Sequence, residues 1–161
     1  MNFRKKLLIL GMTAIVCIAT AVIFILPAEP HQQLILIDDE SGVVYAKYSL
    51  EEGGHFSVTF KHSVNQSDAT DIYEIRGGKI FATGARYSAF GAGMPTDIPD
   101  GQSIEYDSDG FMVIHGIDLE IQRLCYIVGT VYDHFLEING ETINLTELCG
   151  QNQAVVMKYI D

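Results

Sequence analysis

The chain has 161 residues, 48% of them hydrophobic and 19% charged, with a formal charge of −11, a composition that fits a globular domain and excludes a disordered one. Setting aside Arg4, Lys5 and Lys6 leaves seven basic residues against 21 acidic ones, a balance of −14. Phosphate backbones demand the opposite sign, so nucleic acid is excluded as a partner, while cations or basic partners suit such a surface.

The first feature in chain order is Leu7 to Leu26, which contains no charged residue. At about 1.5 Å rise per residue it reaches roughly 30 Å, the thickness of a bilayer's hydrocarbon. Residues 1–6 carry the basic cluster and only Glu29 follows closely. The positive-inside rule therefore predicts a cytoplasmic N-terminus and a single-pass membrane location, with the remainder extracytoplasmic. A cleavable export signal has a shorter apolar region and small residues before the cut, which Leu26-Pro27-Ala28 does not supply, so residues 7–26 read as an uncleaved anchor. Cys17 follows Val16, bulkier than a lipoprotein site takes. Residues 27–33 read as a linker with two prolines and residues 34–161 as the extracytoplasmic domain.

From Leu34 onward, strand signals recur roughly every eight to twelve residues. Leu34–Ile37 turns through Asp38-Asp39-Glu40-Ser41-Gly42 into Val43–Tyr48. His55–Val64 alternates, with Phe56, Val58, Phe60 and His62 on one face and Ser57, Thr59, Lys61 and Ser63 on the other. Thr70–Arg76 returns as its hairpin partner, and Asp71 and Glu74, three apart, fall on opposite faces. Gly77-Gly78 leads to Lys79–Tyr87. Ile104–Asp107 and Phe111–His115 form another hairpin around Ser108-Asp109-Gly110, followed by the apolar Leu124–Val131, interrupted at Gly129. Asn139-Gly140, between Phe135–Asn139 and Glu141–Asn144, is the strongest hairpin signal in the chain. Leu145–Leu148 predicts one helical turn capped by Asn144 or Thr146, and Ala154–Ile160 closes the domain. The expected fold is all-β, an antiparallel sandwich or partly open barrel, preceded by one transmembrane helix.

Strand-like sequence stops at Ser88, and the stretch to Gly101 combines Gly91 and Gly93 with Pro95 and Pro99. It is no dinucleotide fingerprint, because Thr96 holds the sixth position and the prolines oppose the helix that would hold the pyrophosphate. A nest of backbone N–H groups for an anion and a structural crossover between sheets are the two readings that survive. Asp97, Asp100, Asp107 and Asp109 are candidate oxygen ligands for calcium, but nothing after Gly110 supplies the rest of a calcium loop, and an Asp-Gly hairpin turn fits better. His62, His115 and His134 invite a metal or a catalytic dyad. Ser63 cannot serve His62 as a nucleophile, since neighbours on a strand point to opposite faces. Glu74 is expected across the hairpin from the His62 end, where its carboxylate would orient the imidazole. Cys125 and Cys149, beyond the apolar segment, are candidates for one disulfide, with two buried thiols as the alternative. No cofactor signature is present.

Taken together, His62-Ser63-Val64, Glu74, Phe90-Gly91-Ala92-Gly93-Met94-Pro95 and the stretch from Val131-Tyr132-Asp133-His134 to Leu148 resemble a bacterial family of small exported proteins that carry a domain of unknown function. The resemblance covers about Phe56 to Ile160. It implies that His62, Glu74, Phe90, Gly91, Gly93, Pro95 and His134 match the family motif. It also implies an accessory role beside tripartite (TRAP-type) transporters with a TAXI-type solute-binding protein, whose membrane subunits or solute-binding protein would be the partner. The expected function is a membrane-anchored, extracytoplasmic, non-enzymatic binding module. The competing readings are an extracytoplasmic hydrolase or metal enzyme using His62, Glu74 and His134, and a ligand-free envelope protein.

Overall fold

In the computed structural model, which describes residues 32–62, 66–87 and 99–161, the alternation read from the sequence becomes eleven strands and one short helix. The strands are β1 (Gln33–Asp38), β2 (Val44–Ser49), β3 (His55–His62), β4 (Ser67–Arg76), β5 (Lys79–Tyr87) and β6 (Ser103–Tyr106). They continue with β7 (Met112–Glu120), β8 (Leu124–Val128), β9 (His134–Ile138), β10 (Glu141–Asn144) and, after helix α1 (Leu145–Cys149), β11 (Gln153–Ile160). The predicted anchor over 7–26 lies outside the described residues, among which no helix is long and apolar enough to cross a membrane.

Local chemistry fixes the connections. Asn139 and Gly140 both take positive φ, 54° and 79°, the pair a two-residue hairpin needs to match strand twist. Asn144 caps α1, its side-chain oxygen accepting from the backbone N–H groups of Thr146 at 2.9 Å and Glu147 at 3.2 Å. β7 runs five residues past its predicted end, because Gly116 takes φ 75° within the strand and lets pairing resume beyond it.

The strands form two antiparallel sheets, a four-stranded one ordered β2-β1-β11-β8 and a seven-stranded one ordered β10-β9-β3-β4-β5-β7-β6. Leu34, Leu36, Val128, Val155 and Met157 of the smaller sheet share one buried cluster with Phe56, Val58, Tyr73, Ile75, Leu136 and Ile138 of the larger. The arrangement is thus the sandwich alternative, with one inner face per sheet. Each large aliphatic side chain buried there contributes about 1.5–3 kcal/mol.

A bulge bends the larger sheet at β5. Ile72 pairs with Gly84 and Tyr73 with Ala82, which leaves Thr83 unmatched. A β-carbon on Gly84 would sit 2.9 Å from the carbonyl oxygen of Ile114 and 3.5 Å from Cδ1 of Ile72. Only glycine lets β7 close against β5 at that point. Gly84→Ala is expected to cost about 1–3 kcal/mol through this overpacking, read as a fall of several degrees in the thermal midpoint. An unchanged midpoint would mean that β7 yields freely there.

Candidate functional site

The turn after His62 sets which side chains meet. Pairing counts outward from it, so Ser67 lies opposite His62 and Glu74, seven residues on, lies opposite His55. Glu74 is therefore at the far end of the hairpin from His62, contrary to the sequence expectation. Its carboxylate is 3.9 Å from His55 Nε2 and accepts from Arg76 Nε at 2.8 Å. His62 and His134 do share an end, since Phe60, two residues before His62, pairs with His134. Tyr87, the last residue of β5, pairs with Ala69, the partner of Phe60, so the chain leaves for residues 88–98 from the same end. Phe90, Gly91, Gly93, Pro95 and Asp97, and the side chain of His62, lie outside the described residues.

Behind that end, a carboxylate stands in the inner row of β4. Ala69, Asp71, Tyr73 and Ile75 share one face, and Asp71 sits between Val58 and Ala85 on the neighbouring strands. Tyr126 reaches from β8 of the opposite sheet and donates its hydroxyl to Asp71 Oδ2 at 2.7 Å. With that proton committed, the hydroxyl of Tyr73, 2.5 Å from Tyr126 Oη, is the donor in the second bond. Phe60 lies 6.0 Å from Tyr126 and stacks on the His134 ring at 5.5 Å, and His134 Nδ1 accepts from the N–H of Gly129 at 3.5 Å. The sequence reading named His134 and passed over Asp71, Tyr73 and Tyr126. The signal was a carboxylate at an apolar-parity position, with a tyrosine on the buried row Leu124, Tyr126, Val128.

The other candidates are committed elsewhere. Asp107 accepts from the backbone N–H groups of Asp109 and Phe111 at 3.0 and 2.9 Å and from Arg86 Nε at 2.7 Å, which makes it the closure of a hairpin turn. Partial desolvation pushes its pKa up, but Arg86 and those N–H groups outweigh it and hold the carboxyl below the usual range. Asp100 and Asp109 are on turns, and among the described residues no group of three His, Cys, Asp or Glu side chains is placed to hold a metal. His115 lies 2.8 Å from Glu105 on the exposed side of β7. Cys125 and Cys149 are both free thiols, correcting the candidate disulfide. Leu124, Tyr126 and Val128 of β8 face the core, so Cys125 points outward, whereas Cys149 is buried in the core cluster. A bridge would have to pass through the sheet. Burial pushes the Cys149 thiol up to about 11.

A family model described as a domain of unknown function (DUF1850) matches residues 56–145. The chain belongs to this family. No match is found among curated proteins, and none among solved structures. The DUF1850 match runs from β3 to the first residue of α1, and so includes Phe60, Asp71, Tyr73, Tyr126 and His134.

Within this DUF1850 domain the buried network has a distinct electrostatic character. Desolvation raises the pKa of Asp71 above its ordinary 3.8, although the hydroxyls of Tyr126 and Tyr73 oppose the shift. The same burial, with the Asp71 charge beside it, raises both tyrosines, so they remain hydrogen-bond donors across the neutral range. Burial lowers His134 below 6.5, which favours the neutral imidazole.

Linkage turns these shifts into stability. A raised carboxyl stabilises the fold below its unfolded value of 3.8, and that contribution is lost as pH rises through its folded pKa. A depressed histidine stabilises above 6.5, and its contribution is lost as pH falls through the folded value. Asp71→Asn keeps an acceptor for Tyr126 and removes the desolvated charge. It is expected to melt above the wild type at neutral pH, with the gap closing below pH 3.8. A lower melting point at neutral pH would show that the charge itself is needed. Tyr126→Phe leaves Asp71 and Tyr73 without their shared partner and is expected to lose about 1–3 kcal/mol in denaturant titration. Full stability in that variant would mean that water replaces the hydroxyl at no cost.

Proposed function

We propose that this chain is a membrane-anchored, extracytoplasmic binding module, accessory to a TRAP-type solute transporter and without enzymatic activity of its own. Residues 7–26 would hold it in the membrane with the N-terminus cytoplasmic. The end of the sandwich bearing His62, His134 and Tyr87, the last residue of β5, would meet the transporter's membrane subunit or solute-binding protein. The observation that carries this reading is a pair of solvent-facing apolar side chains at that end, Ile127 and Val131, 58% and 71% exposed. They border a recess of about 180 Å³ lined also by Phe60, Lys61, Tyr132 and His134. β8, which carries Ile127, is an edge strand of the four-stranded sheet. Exposed aliphatic side chains beside an aromatic recess on a sheet edge are what a protein partner buries.

The separation of Glu74 from His62 counts against the hydrolase reading, which needs an acid beside the imidazole. The interaction is tested by crosslinking and affinity capture of full-length protein from its native membrane, in mild detergent, with identification of what is retained. Transporter membrane subunits or a solute-binding protein are expected with the wild type and lost with Val131→Glu, whose melting point stays that of the wild type. Capture of neither class, or equal capture by the variant, would overturn the reading.

A further inference from the structure

We propose that the outer face of the four-stranded sheet lies on the anionic surface of the bilayer that holds the anchor. The proposal rests on the membrane-anchored reading above and is independent of the transporter partner.

Register defines the face. In β1, Leu34 and Leu36 join the core, so Gln33, Ile35 and Ile37 point outward. Ile35 pairs with Lys47 of β2 on one side and with Lys158 of β11 on the other, and the three stand in one row across the sheet. The next row is Val44, Ile37 and Val156, because a bulge in β2 skips Tyr45. Ile35 and Val156 are buried at the centre, while at the margins Ile160 is exposed and Val44 keeps 46% of its surface.

The composition of this face departs from that of the chain. Of the 21 acidic residues, none occupies an outward position of β1, β2, β8 or β11. Asp38 has inner parity and accepts from the hydroxyls of Ser41 and Tyr45, and Asp39, just past β1, is held by Arg123 at 2.6 Å. Lys47 and Lys158 have no acidic partner within ion-pair distance among the described residues. The outward positions of the larger sheet, by contrast, include Glu74, Glu120 and Glu137.

An aliphatic strip between two unanswered ammonium groups suits a bilayer surface. Anionic headgroups take the ammonium groups, and the aliphatic side chains enter the headgroup boundary. The tether selects this occupant over a soluble one. Gln33 is on the face, and only residues 27–32 separate it from Leu26, the end of the predicted anchor. Fully extended, that stretch reaches at most roughly 25 Å. The face is thus held beside lipid at high effective concentration, where a weak attraction is enough. Repulsion from the acids of the larger sheet is small, since that layer stands about 10 Å farther off, a Debye length at about 0.1 M salt.

The chain contains no tryptophan, so a single one reports its own surroundings. The test places Val44→Trp on the face, with Leu119→Trp at a 57% exposed position of β7 as the reference. Each full-length protein is reconstituted into nanodiscs of brominated phosphatidylcholine, with and without phosphatidylglycerol. With phosphatidylglycerol, Val44→Trp is expected to be quenched about twofold or more relative to Leu119→Trp, as a side chain about 5–10 Å into the headgroup boundary would be. Adding Lys47→Gln and Lys158→Gln, both at exposed positions, is expected to keep the melting point and abolish that quenching, as is raising the salt above about 0.5 M. Unquenched Val44→Trp in discs that have taken up the protein would overturn the proposal and leave the anchor standing. Equal quenching of both tryptophans, or quenching indifferent to the lysines, would overturn it too. A second copy seated on the face would shift the Val44→Trp emission with protein concentration in detergent, leave it unquenched by lipid and equally overturn the proposal. Protein that does not co-elute with the discs would overturn the anchor and this proposal together.

Discussion

The register of the β3–β4 hairpin is the constraint on which the rest of the molecule depends. One turn after His62 fixes every pairing from His62 with Ser67 to His55 with Glu74. A slip by one residue would exchange the two faces of β4, sending Asp71 and Tyr73 to solvent and Thr70 and Ile72 into the core. The register is held because Phe56, Val58, Tyr73 and Ile75 fill the inner face together. Reversing them would expose side chains whose burial contributes about 1.5–3 kcal/mol each.

That stability makes room for one costly group. A carboxylate between the sheets is desolvated, and two tyrosine hydroxyls offset only part of the cost, as its raised pKa shows. An apolar side chain at position 71 would satisfy the core rule better, though it would leave Tyr126 without an acceptor. Since Tyr126 belongs to the smaller sheet and Asp71 and Tyr73 to the larger, the network ties the two layers at one place and in one relative position. A hydrophobic interface has no such directional bond.

The strands were legible because period-two alternation and glycine turns act locally. Lys79–Tyr87 and Glu141–Asn144 appear with the predicted bounds, and Asn144 is the predicted cap. What failed was long-range or hidden inside a strand. Gly116 reads as a strand stop, yet its positive φ permits a bulge and β7 continues. The placing of Glu74 against His62 needed the hairpin to be counted from its turn, and simple nearness along the chain gives the wrong end. The Asp71–Tyr126 bond joins residues 55 apart in the sequence and on different sheets, a pairing that no local pattern encodes. Cys125 and Cys149 are the converse, two residues whose chemistry invites a bond that sheet parity forbids.

The same hairpin presents opposite chemistry on its two faces. Inward, β4 places Asp71 among tyrosines where charge is penalised and a hydroxyl network stands in for solvent. Outward, its Thr70 and Ile72 lie beside Ser57 and Thr59, where water and any solute have access. Carboxylates on that outer side cost little to keep ionised, because solvent screens them. Thus a strongly acidic chain needs few internal ion pairs to hold its fold: among the described residues these salt bridges lie outside the core cluster, and the core is joined by apolar contact and by neutral hydroxyls around one carboxylate. Charge is left free for the surface, where it bears on partners more than on folding.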